Sequence, residues 1–441
     1  MRFGGISTRL RGMLPVHPVA RKAESWGRLA VSTCLNGIAD RLRGLSRSAP
    51  HLTVEDAARR IYPIDDDWAF RSSLQRRASH TAEQVRAYLS SRAHGTGRPR
   101  VLVVMGTLTR YGGNLSVVQL VNDLADDGWD ISVAVLSPHR PDLHDELRVQ
   151  PRFYLDHRHF LAQAPQADIV VATWWTTAYA TLDLFAERGG FVPAYFVQDF
   201  EPWFYPDSHA YLRARVSDTY RWMPISFAKT PWLYERVREA GGMASRVPPA
   251  LDLERFTPGE AVGNKVLTMM RPESHQRGFE LAKWLFERLQ EERPECALAA
   301  FGSDAELPVN ARFENLGRVE NDAMPDVYRA ARVFVECSDF HGFGRTVAEA
   351  MACGVPCVVT DSGGIDAFVR DGENALVAPK GDREALFTAV CRLLDDDALH
   401  AHLAGNARAS VQGFERKHSS RRTGDLLQAL HESSACEEGY L

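Results

Sequence analysis

Short, uninterrupted apolar runs alternate with helix-length amphipathic stretches along this chain, and they do so in two sets. In the first half the runs are VLVVMG (101–106), ISVAVLS (131–137), ADIVVATWW (167–175), AYFVQDF (194–200) and WMPIS (222–226). In the second they are VLTMM (266–270), ALAAFG (297–302), RVFVEC (332–337) and VPCVVTD (355–361). A strand that is apolar on both faces has to be covered on both faces, which is the condition of a parallel sheet flanked by helices. Two such sets predict an α/β protein with two doubly wound domains in tandem. The seam is expected near RVPPALDLERFTPGE (246–260), where prolines and an acidic turn interrupt the alternation. This divides the chain into a basic, largely helical extension over 1–98, domains over 99–255 and 256–425, and a tail over 426–441. Ligands of such sheets bind beyond the carboxyl ends of the strands, so the expected site is the cleft between the two domains.

Helix signals in the extension are Thr53 opening TVEDAARRI, and Thr81 with Gln84, a capping-box pattern before VRAYLSSR. YPIDDDW separates them. Of the 441 residues, 45% are hydrophobic and 25% charged, an ordinary globular balance. The net charge of −5 gives no global argument for nucleic acid as a partner. It is unevenly spread, however. Residues 1–50 carry nine Lys/Arg against Glu24 and Asp40, a local charge of +7 that leaves −12 for the rest. Such an arm suits peripheral contact with an anionic membrane surface, and equally a solvated leader. No run approaches the roughly 20 apolar residues of a spanning helix. Seven dispersed cysteines suit a reducing compartment, and Cys353 with Cys357 lacks the partners of a zinc site. The expected location is cytoplasmic, at most peripheral at the inner face of the membrane.

Four constellations carry chemistry. After strand RVFVEC comes SDFHGFGRTVAEAMACGVPCVVTDSGG (338–364). Gly342 and Gly344 permit a tight turn, a helix follows, and Gly354 with Pro356 marks its end. A helix opening at such a turn offers free N–H groups to a diphosphate, and Glu349 lies where it could accept sugar hydroxyls. Arg271 and Arg277 follow another strand, in TMMRPESHQRGFE, and two guanidiniums can clamp phosphate oxygens. Gly112 and Gly113 join the first strand to a helix. Finally, YFVQDFEPWFYPDSHAY (195–211) gathers Asp199, Glu201 and Asp207 with Phe200, Trp203, Phe204 and Tyr205 at a strand's end. Carboxylates bind sugar hydroxyls and aromatic faces pack on pyranose rings. The same residues also suit an aromatic core capped by loop acids. Trp174 and Trp175, ending another strand, suit core packing better than the cleft.

The run over 338–364 resembles the donor-site signature of glycosyltransferase family 4, in which two glutamates eight positions apart flank a G-F-G turn. Glu349 matches the second glutamate; His341 stands where the first is usual and where relatives face the transferred sugar. NLGRV (315–319) resembles the loop that meets the nucleotide base, and VRDGENALVAP (369–379) the closing segment. Arg271 and Arg277 match the pair that grips the donor diphosphate, with Arg in the usual Lys position. The resemblance spans about 340 residues, from near residue 100 onward. It implies the GT-B fold, two facing Rossmann-like domains, and a retaining, metal-independent transfer from a nucleotide-sugar with no cofactor. Donor contacts are then expected from Gly112, Gly113, Arg271, Arg277, Gly317, Val319, His341, Gly342, Phe343, Gly344 and Glu349. Gln198 and Asp199 occupy the place of a usual His-Asp pair. The 195–211 stretch is similar to rhamnosyltransferases of bacterial surface-polysaccharide assembly, which use dTDP-rhamnose. This assigns catalysis to Arg271, Arg277 and Asp199, and binding of a saccharide or lipid-linked glycan acceptor to Gln198, Glu201, Trp203 and Tyr205. Competing readings are a sugar-nucleotide epimerase or phosphorylase on the same architecture, and a non-catalytic binding protein.

Overall fold

A computed structural model describes residues 68–137, 143, 146–259 and 265–433. The basic arm over 1–50, the TVEDAARRI helix signal, Cys34 and Cys436 lie outside the described residues. The first sheet has seven parallel strands: β1 (Val101–Met105), β2 (Ile131–Val135), β3 (Arg152–Phe153), β4 (Ile169–Ala172), β5 (Val192–Val197), β6 (Ser226–Ala228) and β7 (Ala244–Arg246). Their spatial order is β3-β2-β1-β4-β5-β6-β7. The second sheet holds β8 (Val266–Met269), β9 (Leu298–Phe301), β10 (Glu314–Asn315), β11 (Val333–Glu336), β12 (Cys357–Thr360) and β13 (Leu376–Ala378). Its order, β10-β9-β8-β11-β12-β13, repeats the same doubly wound plan, again all parallel. Each sheet carries a hydrophobic core on both faces, which is what the unbroken apolar runs demanded. The two-residue edge strands β3 and β10 carry no such run and escape the sequence pattern.

The helices that matter for the site are α1 (Trp68–Ser91), α2 (Gly112–Asp126), α3 (His157–Gln163), α4 (Trp175–Arg188), α5 (Ala210–Trp222), α6 (Pro231–Glu239), α7 (Phe279–Glu292), α8 (Met324–Arg329), α9 (Arg345–Ala352), α10 (Arg383–Asp395), α11 (Asp397–Ala407) and α12 (Arg416–Glu432). In α7 the buried residues Phe279, Ala282, Leu285, Phe286 and Leu289 recur at helical spacing on one face. Helix α9 ends as its glycine foretold. Gly354 takes φ +75°, its N–H bonds the Met351 carbonyl at 3.0 Å and Val355 N–H bonds Ala350 at 3.0 Å, closing the last turn.

Two expectations need correction. Thr81 is no helix cap: α1 runs through it, and its hydroxyl bonds back to the Arg77 carbonyl at 2.9 Å. The boundary at 425/426 cuts α12, a single helix that returns to the first domain. There Ser420 bonds Asp123 at 2.7 Å, and Leu427 and Leu430 join the core beneath α2. Among the described residues, no helix is long and apolar enough to cross a membrane.

Candidate active site

In each sheet the strand order reverses between the first and fourth strands, β1 and β4 in one, β8 and β11 in the other. The loops leaving these strands meet across the domain seam, where a doubly wound sheet places its ligand. The loop after β8 carries Arg271 and Arg277. It ends at Gly278, in the left-handed region at φ +65°, where a Cβ would lie 1.8 Å from the Cys337 carbonyl oxygen. Only glycine lets this loop lie on the end of β11. Arg277 then spans the seam. Its Nη1 donates to His341 Nδ1 at 2.7 Å and to the Phe340 carbonyl at 3.3 Å, and its Nη2 faces Asp199 Oδ2 of the first domain at 3.5 Å. Arg271 lies by the Tyr111 ring at 5.9 Å, and its Nε is buried without a partner among the described residues. Burial, then the neighbouring charge of Arg277, lower its pKa.

The turn after β11 is built on close approach. A Cβ on Gly342 would stand 2.5 Å from the Gln198 carbonyl oxygen, and the Gly342 carbonyl accepts from Thr230 Oγ1 at 2.8 Å. Gly344 follows at φ +81° and α9 opens with Arg345. Arg345 bridges the domains: Nε donates to Glu349 Oε1 at 2.7 Å, while Nη1 reaches Gln119 at 3.2 Å and Ser116 at 3.4 Å on α2. Its Nη2 is buried and has no partner among the described residues. Glu349 Oε2 accepts from Tyr328 at 3.1 Å. Below the turn, Glu336 is 1% exposed and takes bonds from the Ser338 N–H (3.0 Å), the Ser338 hydroxyl (2.6 Å) and the Thr346 hydroxyl (2.7 Å). Burial alone would push this carboxyl up. The pull of His341, then the hydroxyl bonds of Ser338 and Thr346, outweigh it and keep Glu336 below the usual carboxylate range.

From the first domain, Gly113 lies against Gln198, where a Cβ would be 3.3 Å from the Gln198 Cβ, and a Cβ on Gly112 would be 3.7 Å from Arg345 Cδ. Asp199 is buried, its Oδ1 taking the Phe200 N–H at 2.9 Å; burial pushes its carboxyl up, against the pull of Arg277 and His341. Beside it, Lys229 at the end of β6 is 7% exposed and donates to Gln198 Oε1 at 2.6 Å. Burial, then Arg345, bring its ammonium down to about 7. Gly302, just after β9, takes φ +116°; a Cβ there would lie 3.1 Å from Arg271 Cγ, and its N–H bonds the carbonyl of Gly317 in the loop after β10 at 2.7 Å. Val319 packs in the core beside it.

Several expected contacts turn out otherwise. Glu201 is 0% exposed: its Oε2 takes the Trp175 N–H that opens α4 (2.8 Å) and the Tyr195 hydroxyl (2.7 Å). Burial raises its pKa well above the carboxylate range. Tyr205 is buried and accepts from the Trp175 indole at 2.9 Å. Neither side chain reaches the cleft, because the turn after β5 folds both inward onto α4. Trp203 spends its ring on Phe200, Trp232 and Phe340, and so helps seal the seam. The Phe343 ring packs on Phe368 and Phe414, leaving only its backbone to meet a ligand. His341, 5% exposed, turns one ring nitrogen to Arg277 and the other to Glu336, 3.5 Å away, so it is not a free sugar contact. Trp175 is core, as expected, while Trp174 is half-buried and stacks on Phe204. The sequence reading passed over Lys229, Glu336 and Arg345. The available signal was a charge closing an apolar strand run, in FAK and FVE, which marks the carboxyl edge of a buried sheet.

Comparison with known proteins places this geometry in context. Residues 263–396 match the family model described as glycosyl transferases group 1. The chain is 30% identical over 292 residues to the O-antigen biosynthesis protein RfbC of Myxococcus xanthus, covering 63% of this chain. It spans only 22% of that relative's length. Sucrose-phosphate synthase from Thermosynechococcus elongatus superimposes with a TM-score of 0.65 at 18% identity, over 75% of this chain and 99% of that one. Anabaena HepE, solved with UDP-glucose, gives 0.65 at 16% identity, over 75% and 100%. The two-sheet body therefore has the GT-B fold, and through residues 263–396 the chain is similar to the group 1 glycosyl transferases.

Proposed function

We propose that the protein is a retaining glycosyltransferase that moves a sugar from a nucleotide-sugar to a saccharide acceptor in surface-glycan assembly. One observation carries this reading. Three guanidiniums, of Arg271, Arg277 and Arg345, converge on the seam, and Arg271 Nε and Arg345 Nη2 are buried there without partners among the described residues. Unpaired buried donors are costly, and a diphosphate supplies the acceptors they lack. Gly112, Gly113 and Gly344, at the openings of α2 and α9, suit the same anion. The names of similar proteins support the reading: an O-antigen biosynthesis protein in one case, a structure in complex with UDP-glucose in another.

In this mechanism the diphosphate departs under Arg271 and Arg277, whose fixed charge stabilises the leaving oxygens. The acceptor hydroxyl attacks the anomeric carbon from the same face and gives its proton to the departing phosphate oxygen. Asp199 and Gln198 orient hydroxyls of donor or acceptor. Glu349 holds the ribose-type ring, sharing its carboxylate with Arg345 and Tyr328. Guanidiniums supply the charge that a divalent cation would otherwise bring, so neither metal nor cofactor is required. Rhamnose from dTDP-rhamnose is the donor we favour, on the likeness of residues 195–211. The test is release of nucleoside diphosphate in EDTA from a panel of dTDP-rhamnose, GDP-mannose and UDP-glucose, with and without oligosaccharide acceptors. Acceptor-dependent release from dTDP-rhamnose supports the full reading. Preference for another donor retains the transferase and removes rhamnose, and no release from any donor overturns both.

A further inference from the structure

A line of polar groups runs from beneath the glycine turn across the seam: Glu336, His341, Arg277, Asp199. Every link has a distance. Glu336 Oε2 is 3.5 Å from His341 Nε2, His341 Nδ1 is 2.7 Å from Arg277 Nη1, and Arg277 Nη2 is 3.5 Å from Asp199 Oδ2. A guanidinium carries hydrogens on every nitrogen and offers no acceptor. The 2.7 Å contact therefore makes His341 Nδ1 the acceptor, and a neutral ring then has its one proton on Nε2. That nitrogen has no hydrogen-bond partner among the described residues, and the group facing it is the Glu336 carboxylate. An imidazolium, or the opposite tautomer, would set an N–H against the hydrogens of Arg277.

We infer that Glu336 and His341 are positioning residues for Arg277: the carboxylate holds His341 as the neutral Nε2–H tautomer, and His341 Nδ1 fixes the guanidinium beneath the leaving diphosphate. This deepens the transferase reading and rests on it. A carboxylate that sets the tautomer of an imidazole, which in turn aims a third group, is a known way of fixing polar geometry. Here the aimed group is an arginine. The arrangement also accounts for a carboxylate and an imidazole buried side by side, Glu336 at the end of β11 and His341 in the turn that follows. Glu336 is satisfied by the Ser338 and Thr346 hydroxyls as well, so it stays in place whatever His341 does. The groups facing the ring are Glu336 on β11, Arg277 on the β8 loop and Asp199 on the β5 loop.

Glu336→Gln separates positioning from packing, because it keeps the shape and the oxygen that accepts from Ser338 but turns an amide toward Nε2. That amide favours the wrong tautomer. Loss of a group that fixes an imidazole costs roughly 10–100-fold, and kcat is expected to fall by that factor with donor KM changed less than about threefold. Ser338→Ala removes a bond to Glu336 while leaving its charge, and is expected to keep kcat within about threefold. Long-range imidazole ¹H–¹⁵N correlations, assigned by His341→Gln, read the tautomer directly in the full chain. Nε2–H in the wild type with Nδ1–H in Glu336→Gln supports the inference. A cationic or Nδ1–H ring in the wild type overturns it, as does normal kcat in Glu336→Gln or an equal loss in Ser338→Ala. Failure of the transferase reading itself is distinguishable, since wild-type protein would then release no diphosphate while the tautomer could still be read.

Discussion

Two segments leave strand ends at this seam, 337–349 after β11 and 198–205 after β5, and both look like binding loops in the sequence. They are built differently. The first is dictated by backbone: Gly342 admits the Gln198 carbonyl, Gly344 takes φ +81°, and the turn delivers Arg345 and Glu349 to the cleft. The second is dictated by packing. Gln198 and Asp199 meet the seam with polar groups and Trp203 and Phe204 pack on Phe340 across it, while Glu201 and Tyr205 turn back to hold the start of α4. Polar and aromatic residues in a loop thus say what chemistry is available, but not which way it faces. A glycine pattern says where the chain must go.

The comparison breaks most readily at Arg277, the side chain that the glycine turn and Asp199 share. Arg277→Ala removes a fixed donor to the leaving group, for which a loss in kcat on the order of 10²–10³ is typical. The expected outcome is that loss in steady-state diphosphate release, with a cooperative thermal transition retained. Near-normal turnover would mean the seam is not where charge develops, and the two segments would be equally structural.

How much of this was legible follows the same division. Eight of the nine apolar runs became strands, since burial on both faces favours that reading. WMPIS (222–226) did not, because Trp222 closes α5 and only Ser226 enters β6. The α9 stop followed from Gly354 and Pro356. Arg271 and Arg277 were found because they follow a strand end. The inward turn of Glu201 was hidden, since it depends on the Trp175 N–H and the Tyr195 hydroxyl, 26 and 6 residues away in sequence. Thr81 misled for a related reason: its capping pattern is real, but α1 continues through it to dock on α4, where Arg77 bonds Asp183 at 2.7 Å. Lys229 and Glu336 were passed over because each ends an apolar run that reads as core.

A second test sharpens the contrast through pH. Burial raises the Glu201 pKa well above normal, so the folded state favours the protonated acid. The unfolded chain releases that proton near the usual value of about 4.3. Unfolding therefore releases a proton above that pH, and this carboxyl lowers stability as pH rises from there until the folded group itself titrates. The limiting slope is about 1.4 kcal/mol per pH unit for one proton. Glu201→Gln keeps an oxygen for the Trp175 N–H and the Tyr195 hydroxyl and removes the slope. Denaturation midpoints for mutant and wild type are expected to diverge in the mutant's favour between pH 5 and 8, with transferase kinetics unchanged. Parallel curves would show that the acid is not held neutral by burial, and a selective loss of kcat would return Glu201 to the cleft.

The smallest effect belongs to Tyr205, whose hydroxyl accepts from the Trp175 indole inside the core. Tyr205→Phe keeps the ring, which meets Trp175 edge-on at 6.3 Å, and deletes the hydroxyl that accepts from the indole. The indole N–H is then left without this oxygen in a site closed to water, a loss of about 1 kcal/mol. Because Tyr205 points away from the seam, that loss should appear in the chemical denaturation midpoint and nowhere in acceptor KM. An acceptor surface would behave in the opposite way. A raised acceptor KM with unchanged stability would place Tyr205 beside Asp199 after all, and the turn after β5 would then be a binding loop of the same kind as the one after β11.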